Sequence, residues 1–353
     1  VSARAAQCGM VVCSVGFCLV LAAASLWAFP VTAEESGTFS LQFENDRVAA
    51  TDRHYTHGSR ISWVSKKKYG AGNAKEMEGT NWARNLLDFL YPLAKVRTGR
   101  IGFALGQNIY TPEDTSTTAL VVEDRPYAGW LYGAVSLHAE TPRRFFGHDA
   151  KALDSVELSA GIVGPQAYGE DVQNNVHDLI GVARSNGWNN QLKNEPAVAL
   201  FFERKLRPAP TRFAGMEADV IPHFGGSVGN VFTMGNIGAT FRIGQQLGLD
   251  YGPPHIRPTL SGLAAVESND KLGWYFFAGG EGRAVLRNIF LDGNTFADSH
   301  NIRKKPFVGS LQFGFSLAYK GARLAFSHVF LSKEFDTQRR SDRYGAITLS
   351  KNF

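Results

Sequence analysis

Alternation with a period of two runs through most of the chain. Between Phe307 and Tyr319, one face carries Phe307, Gly309, Leu311, Phe313, Phe315, Leu317 and Tyr319, and the other Ser310, Gln312, Gly314, Ser316 and Ala318. Successive side chains of a strand point to opposite faces, so this segment predicts a strand with one greasy and one small or polar face. The same pattern marks Thr38–Asp46, Tyr55–Ser65, Arg100–Ile109, Tyr127–Ala139, Ser155–Val163, Ala197–Leu206 and Thr211–His223. It continues through Asn230–Ile243, Gly273–Val285, Ala322–Leu331 and Tyr344–Phe353. The count is about twelve strands, several near the ~9–11 residues that cross a bilayer when tilted. Two segments break the pattern. Thr80–Leu93 has Trp82, Leu86, Leu87, Phe89 and Leu90 at helical spacing, and Asp171–Ala183 has Val172, Val176, Leu179 and Ile180 on one side. Both predict short amphipathic helices in connections.

Two architectures fit such alternation. A soluble barrel or sandwich turns its greasy face inward, whereas a membrane barrel turns it outward around a polar lumen. Periodicity alone does not separate them. The small face here repeats Gly, Ser and Gln, which makes a poor soluble exterior, and the last strand ends on the aromatic Phe353. Both favour an all-β, transmembrane antiparallel barrel with short helices in its loops.

Composition supports export. Arg4 is the only charge before Glu34, the stretch between is almost wholly apolar from Met10 to Val31, and Val31-Thr32-Ala33 offers small residues before Glu34-Glu35. That layout predicts a signal peptide over residues 1–33, cleaved to leave one barrel domain over 34–353. All three cysteines (Cys8, Cys13, Cys18) lie in this leader, so no disulfide would staple the barrel. The 37 basic and 32 acidic residues are interspersed, and a formal charge of +5 gives little reason to expect nucleic acid.

Polar residues concentrate in three places. The first is Phe43-Glu44-Asn45-Asp46 with Thr51-Asp52-Arg53-His54-Tyr55-Thr56-His57-Gly58; it reads either as a polar hairpin turn or as oxygen donors for a hard cation such as Ca²⁺. The second is Gln173-Asn174-Asn175-Val176-His177, followed by Gly187-Trp188-Asn189-Asn190-Gln191-Leu192 and Asn194-Glu195-Pro196. On a helix Gln173 and His177 share a face, and His177 is either an incidental loop histidine or a general base. The third runs from Gln107 through Tyr110-Thr111-Pro112-Glu113-Asp114 to Asp124-Arg125-Pro126-Tyr127-Ala128-Gly129-Trp130. Arg125 there either pairs with Asp124 in a turn or holds an anion. If both termini are periplasmic, the loops after the first, third and fifth strands bring all three clusters to one rim. Gly225-Gly226-Ser227-Val228-Gly229 matches the G-x-S-x-G nucleophile pattern. That motif needs a helix after it, and strands are predicted on both sides, so a glycine hairpin is the expectation.

These motifs, with Gly161-Ile162-Val163-Gly164-Pro165, follow one another in order across most of Phe39 to Pro196. In that order they resemble the outer-membrane lipid A 3′-O-deacylases, the LpxR family; the C-terminal half matches only as barrel strands. His57 stands where the family usually has Asn. The resemblance implies a twelve-stranded barrel, monomeric, in the bacterial outer membrane. Its calcium-dependent esterase site would face the outer leaflet, where lipid A of lipopolysaccharide lies among the other outer-membrane lipids. Carried over, His177 is the general base and Gln173 helps to place it. Asn45 and Asp46 hold the ion and the substrate carbonyl, and Thr56 and Arg125 complete the site. Glu44, Asp52, Glu170 and Glu195 are further carboxylates that could reach the ion. Two rivals differ in class: a serine-dependent outer-membrane phospholipase, and a porin or adhesion barrel without catalysis. Arg303-Lys304-Lys305, at the same predicted rim, would attract lipid A phosphates.

Overall fold

The structure, a computed structural model, describes residues 37–46, 54–66, 98–253, 267 and 270–353. The leader over 1–33, the helix expected at 80–93 and Asp52 lie outside the described residues. The strands are β1 (Gly37–Asn45), β2 (His54–Ser65), β3 (Thr98–Thr111), β4 (Ala128–Phe145), β5 (His148–Val163) and β6 (Glu195–Pro208). They continue as β7 (Thr211–Phe213), β8 (Met216–Gly229), β9 (Phe232–Gln245), β10 (Gly273–Asn288), β11 (Phe307–Tyr319), β12 (Ala322–Leu331) and β13 (Asp342–Asn352). Neighbours pair antiparallel in one sheet. Pairing of β1 with β13 and of β6 with β8 closes it into a barrel of twelve strands, with the three-residue β7 as a side arm. Closure removes the open edges that a membrane would not tolerate.

The orientation of the faces selects the membrane barrel. Phe307, Leu311, Phe313, Leu317 and Tyr319 of β11 are exposed, while Ser316 between them is buried. Phe103 and Leu105 of β3, Val135 of β4, Leu158 of β5 and Phe276 of β10 are likewise exposed. Inside are Ser40, Gln42, Arg60, Ser62, Glu157, Glu203, Lys205, Arg242 and Arg323. A soluble protein could not bear that inversion; a bilayer requires it. Among the described residues no helix is long and apolar enough to cross a membrane.

The two ends differ. At one, Phe146-Gly147, Ala214-Gly215 and Lys320-Gly321 form two-residue turns with positive φ at both positions (48° and 82°, 48° and 78°, 46° and 72°). Such turns match the twist of the strands they join. The other end, the rim, carries the connections 112–127, 164–194, 289–306 and 332–341.

One strand is corrected. The segment expected as Thr211–His223 contains the Ala214-Gly215 turn, and β8 runs on to Gly229. Gly225 to Gly229 is therefore strand, not a hairpin. These glycines serve close approach: a Cβ at Gly225 would lie 2.2 Å from the carbonyl oxygen of Phe202 on β6. Ser227 faces the lumen beside Phe201 and Met234 in register. Neither neighbour is a base.

The lumen is filled. Tyr55, Tyr110, Trp130, Tyr132, Phe232, Tyr344 and Phe290 form an aromatic layer under the rim, Phe290 stacking on Tyr110 at 3.9 Å. Phe290 comes from α2 (Ile289–Asp292), which the loop after β10 folds into the mouth. Below lies an ion pair: Arg60 grips Glu157 through two bonds of 3.0 and 2.6 Å. Nearer the turn end, Arg242 and Arg323 converge on Asp250, which also accepts from the Tyr275 hydroxyl. Each of these buried charges has a partner, as a low-dielectric interior demands.

Candidate active site on the outer wall

The site is built on the lipid side of the wall, not in the lumen. Register places Asn45 beside His57, His57 beside Ile109 and Ile109 beside Gly129, one row across β1 to β4. On β3 and β4 this row shares its face with the exposed Phe103, Leu105 and Val135, so it points outward. A bulge interrupts β2 between Tyr55 and His57 and leaves Thr56 unpaired in the ladder. The Asn45 amide donates to the Thr56 carbonyl at 2.8 Å, and the Thr56 hydroxyl lies 2.8 Å from that of Thr111. A bulge re-aims side chains without breaking the sheet. Asp46, buried, follows directly at the end of β1.

The helix α1 (Gly169–Leu179) is seated against the same wall. Its buried residues are Gly169, Gln173 and His177, a single stripe at a spacing of four. Gly169 lies against Gly129, the Gln107 side-chain amide donates to the Ala167 carbonyl at 2.6 Å, and Val172 packs on a cluster of Ile109, Tyr127 and Trp188. Trp188 then donates its indole N–H to Gln173 Oε1 at 3.0 Å. Gln173 Nε2 is buried with no hydrogen-bond partner among the described residues. His177 Nδ1 lies 2.7 Å from the Ala183 carbonyl oxygen. A carbonyl only accepts, so Nδ1 carries the proton in the neutral ring and Nε2 is left with its lone pair. That is the state a general base needs.

Asn45 and Thr56 are therefore joined directly, and Gln173 and His177 share one buried face against the same outer wall. Arg125 is elsewhere. Its guanidinium is fully buried inside the mouth, 4.9 Å above the Tyr110 ring and 3.2 Å from Glu334. It does not pair with Asp124 through its side chain. Asp124 instead meets His54, whose Nε2 is 3.3 Å away and whose Nδ1 sits 2.8 Å from Asp342. His54 thus ties the loop after β3 to the start of β13. Burial pushes the Asp124 carboxyl up, but the His54 imidazole and the N–H groups of Glu113 and Arg125 outweigh it and hold it below the usual carboxylate range. Neither this clasp nor the hold of Trp188 on Gln173 was assigned from the sequence. Both residues stood inside the polar clusters, and only their tertiary partners reveal the roles.

The other carboxylates are spread out. Glu44 points into the lumen and accepts from the Tyr55 hydroxyl at 2.9 Å. Glu195 is held by Asn230, Asn294 and the Thr295 N–H, and Glu170 is exposed on the first turn of α1. Among the described residues no group of three or more His, Cys, Asp or Glu could hold a metal. Asn45 and Asp46 follow one another at the end of β1, and an amide and a carboxylate there offer hard oxygens. They fit an open Ca²⁺ site completed by water or substrate better than a closed zinc site. The rim cations are engaged: Lys304 pairs with Asp292 at 2.7 Å, and Arg303 and Lys305 with Asp336 at 3.3 and 3.1 Å.

A closed barrel with an apolar outside and a filled lumen defines a class, the outer-membrane β-barrel. The profile of the family described as "Outer membrane protein LpxR" matches residues 11–353, and the chain belongs to that family, the outer-membrane lipid A deacylases. Among solved structures it is similar to LpxR from Salmonella typhimurium, at 19% identity and a TM-score of 0.68, covering 90% of this chain and all (100%) of that one. The translocator domain of the autotransporter NalP from Neisseria meningitidis gives a TM-score of 0.36 at 9% identity, covering 98% of each chain. Comparison with curated proteins finds no match. Family membership makes the chain a lipid-A-deacylase-type hydrolase of the outer membrane.

Proposed function

We propose that the chain hydrolyses the ester of the acyl chain at the 3′-O position of lipid A, in the outer leaflet, with Ca²⁺ as cofactor and His177 as general base. The observation that carries this is the His177 geometry: a buried imidazole whose Nδ1–H is fixed on Ala183, leaving Nε2 as the acceptor. In the reaction His177 Nε2 takes a proton from water as the water oxygen bonds to the ester carbonyl carbon. The tetrahedral intermediate then breaks its bond to the sugar oxygen, which receives the proton from His177, and a free fatty acid and a sugar hydroxyl result. Gln173, oriented by Trp188, has a free N–H to hold the water or the ester oxygen. Thr56 fixes the end of β1 through its carbonyl, and Arg125 braces the rim from within. Asn45 and Asp46 would hold the ion, which when bound supplies a positive charge for the oxyanion.

The test is mass spectrometry of lipid A from cells expressing the chain, beside cells expressing His177→Ala. Loss of one ester-linked acyl chain in the first alone is the expected outcome. Purified protein should lose activity in excess chelator and recover it better with Ca²⁺ than with Zn²⁺; full activity in chelator would sink the metal requirement. Rapid quench followed by intact-protein mass spectrometry should show no added acyl mass. An acyl-enzyme would replace direct attack by water with a covalent route.

A further inference from the structure

The helix that carries Gln173 and His177 has three distinct flanks. Residues of an α-helix step by about 100° around its axis. On α1 the buried stripe Gly169, Gln173, His177 occupies one arc. Glu170, Asp171, Asn174, Asn175 and Asp178 occupy a second, and Tyr168 (the residue before the helix), Val172, Val176 and Leu179 the third. The third arc is apolar yet open: Leu179 is 78% exposed, Tyr168 58% and Val176 42%.

Hydrogen bonds and an ion pair orient these flanks. The polar arc is strapped to the following segment, since Asn174 exchanges two hydrogen bonds with the Ser185 backbone and Asp178 pairs with Arg184. That segment is pinned to the loop beyond β3, Asn186 bonding to Thr115 and Ser116 and Asn190 to the Thr118 carbonyl. The polar flank therefore faces the rim loops. The buried flank faces the wall. What remains for Tyr168, Val176 and Leu179 is the side away from those loops. Along the outward face of β3, Phe103 and Leu105 are bare, while Gln107 and Ile109, the next two outward positions, lie under Ala167 and Val172. The helix thus begins where the bare apolar band ends, and its apolar flank continues that band.

We propose that the Tyr168–Val176–Leu179 flank of α1 is immersed in the acyl-chain region of the outer leaflet, so that the crevice between helix and wall opens sideways into lipid rather than upward into water. The flank thereby acts as an interfacial helix does, apolar side in hydrocarbon and charged side in the aqueous layer. The immersion stands on exposure and contacts alone; that the crevice admits a lipid ester rests on the proposed function.

Nitroxide labels test the immersion without any activity. In chains whose Cys8, Cys13 and Cys18 are alanine, Tyr168→Cys, Val176→Cys and Leu179→Cys report one flank, and Asp171→Cys and Asn175→Cys the other. The labelled barrels, first shown to be folded by their heat-modifiable mobility, are placed in phosphatidylcholine bilayers. The ratio of collisions with dissolved oxygen to collisions with a water-soluble nickel chelate should be severalfold higher on the apolar flank, near that of a label at Leu105. Equal ratios on the two flanks, whether both aqueous or both lipidic, would overturn the proposal. Because the readout is collision frequency, a dead enzyme with the expected ratios would count against the deacylase mechanism and leave the immersed flank standing.

Discussion

The ring of His177 is oriented by one carbonyl. The Ala183 oxygen holds Nδ1–H and so presents Nε2 as the proton acceptor. Losing a general base typically costs roughly 10²–10⁴-fold in rate, and His177→Ala should fall at least that far in single-turnover assays while binding a non-hydrolysable lipid A analogue as before. Retention of more than a tenth of the activity would remove it from that role. Asp124 carries a different consequence. Its carboxyl is held low by His54 and two N–H groups, so its contribution is present above the ordinary carboxylate value and is lost as pH falls through the depressed one. The loop over 112–127 should stay anchored at neutral pH and open only in acid, well below the ordinary carboxylate value of about 4. Amide exchange, corrected for its intrinsic pH dependence, would show this as lost protection in acid. Asp124→Asn should show the same loss at neutral pH, and equal protection in all three samples would dismiss the clasp.

At the scale of elements, the seat of α1 depends on glycine. A Cβ at Gly129 would lie 3.1 Å from the Ala167 Cβ and 3.2 Å from both the Cα and the nitrogen of Gly169. Gly129→Val should lift the helix off the wall without touching the lumen. A displacement of about 1 Å can cost a catalytic site about 10²-fold, so deacylation should collapse while heat-modifiable mobility persists. Unchanged turnover would mean that the helix has slack to spare. The period of two made nearly all the strands legible, because lipid outside and polar groups inside enforce it residue by residue. It misread Thr211–His223, since Ala214, Met216, Ala218 and Val220 keep a period of two running across the Ala214-Gly215 turn. It also ended β4 early and began β5 late, where the hairpin runs on to Phe145 and from His148 beyond the strictly alternating stretch.

For the whole molecule, the filled lumen separates this barrel from a pore. Aromatic rings close the rim and paired charges fill the space beneath. Purified protein in planar bilayers should show no steady conductance, and a stable open channel would revive the porin reading. Phe290→Ala, which removes the ring stacked on Tyr110, should cost about 3–5 kcal/mol of stability and lower the temperature at which the folded band is lost on gels.

The sequence by itself determined the barrel, the number of crossings and the end at which the polar clusters gather, because strand parity and alternation are local and cumulative properties. It also placed Gln173 and His177 on one helical face, since a spacing of four is enough for that. It could not say which side of the wall the helix lies on. That was decided by the Gly129–Gly169 contact and by the hydrogen bond from Gln107 to Ala167, between residues far apart in the chain. Nor could it separate Arg125 from Asn45 and Thr56. All three belong to clusters that parity brings to one rim, but consecutive strand residues face opposite sides, and Tyr110 and Glu334 draw Arg125 into the mouth while Asn45 faces outward. A rim is a matter of strand count; a face is a matter of packing, and only the folded wall has one.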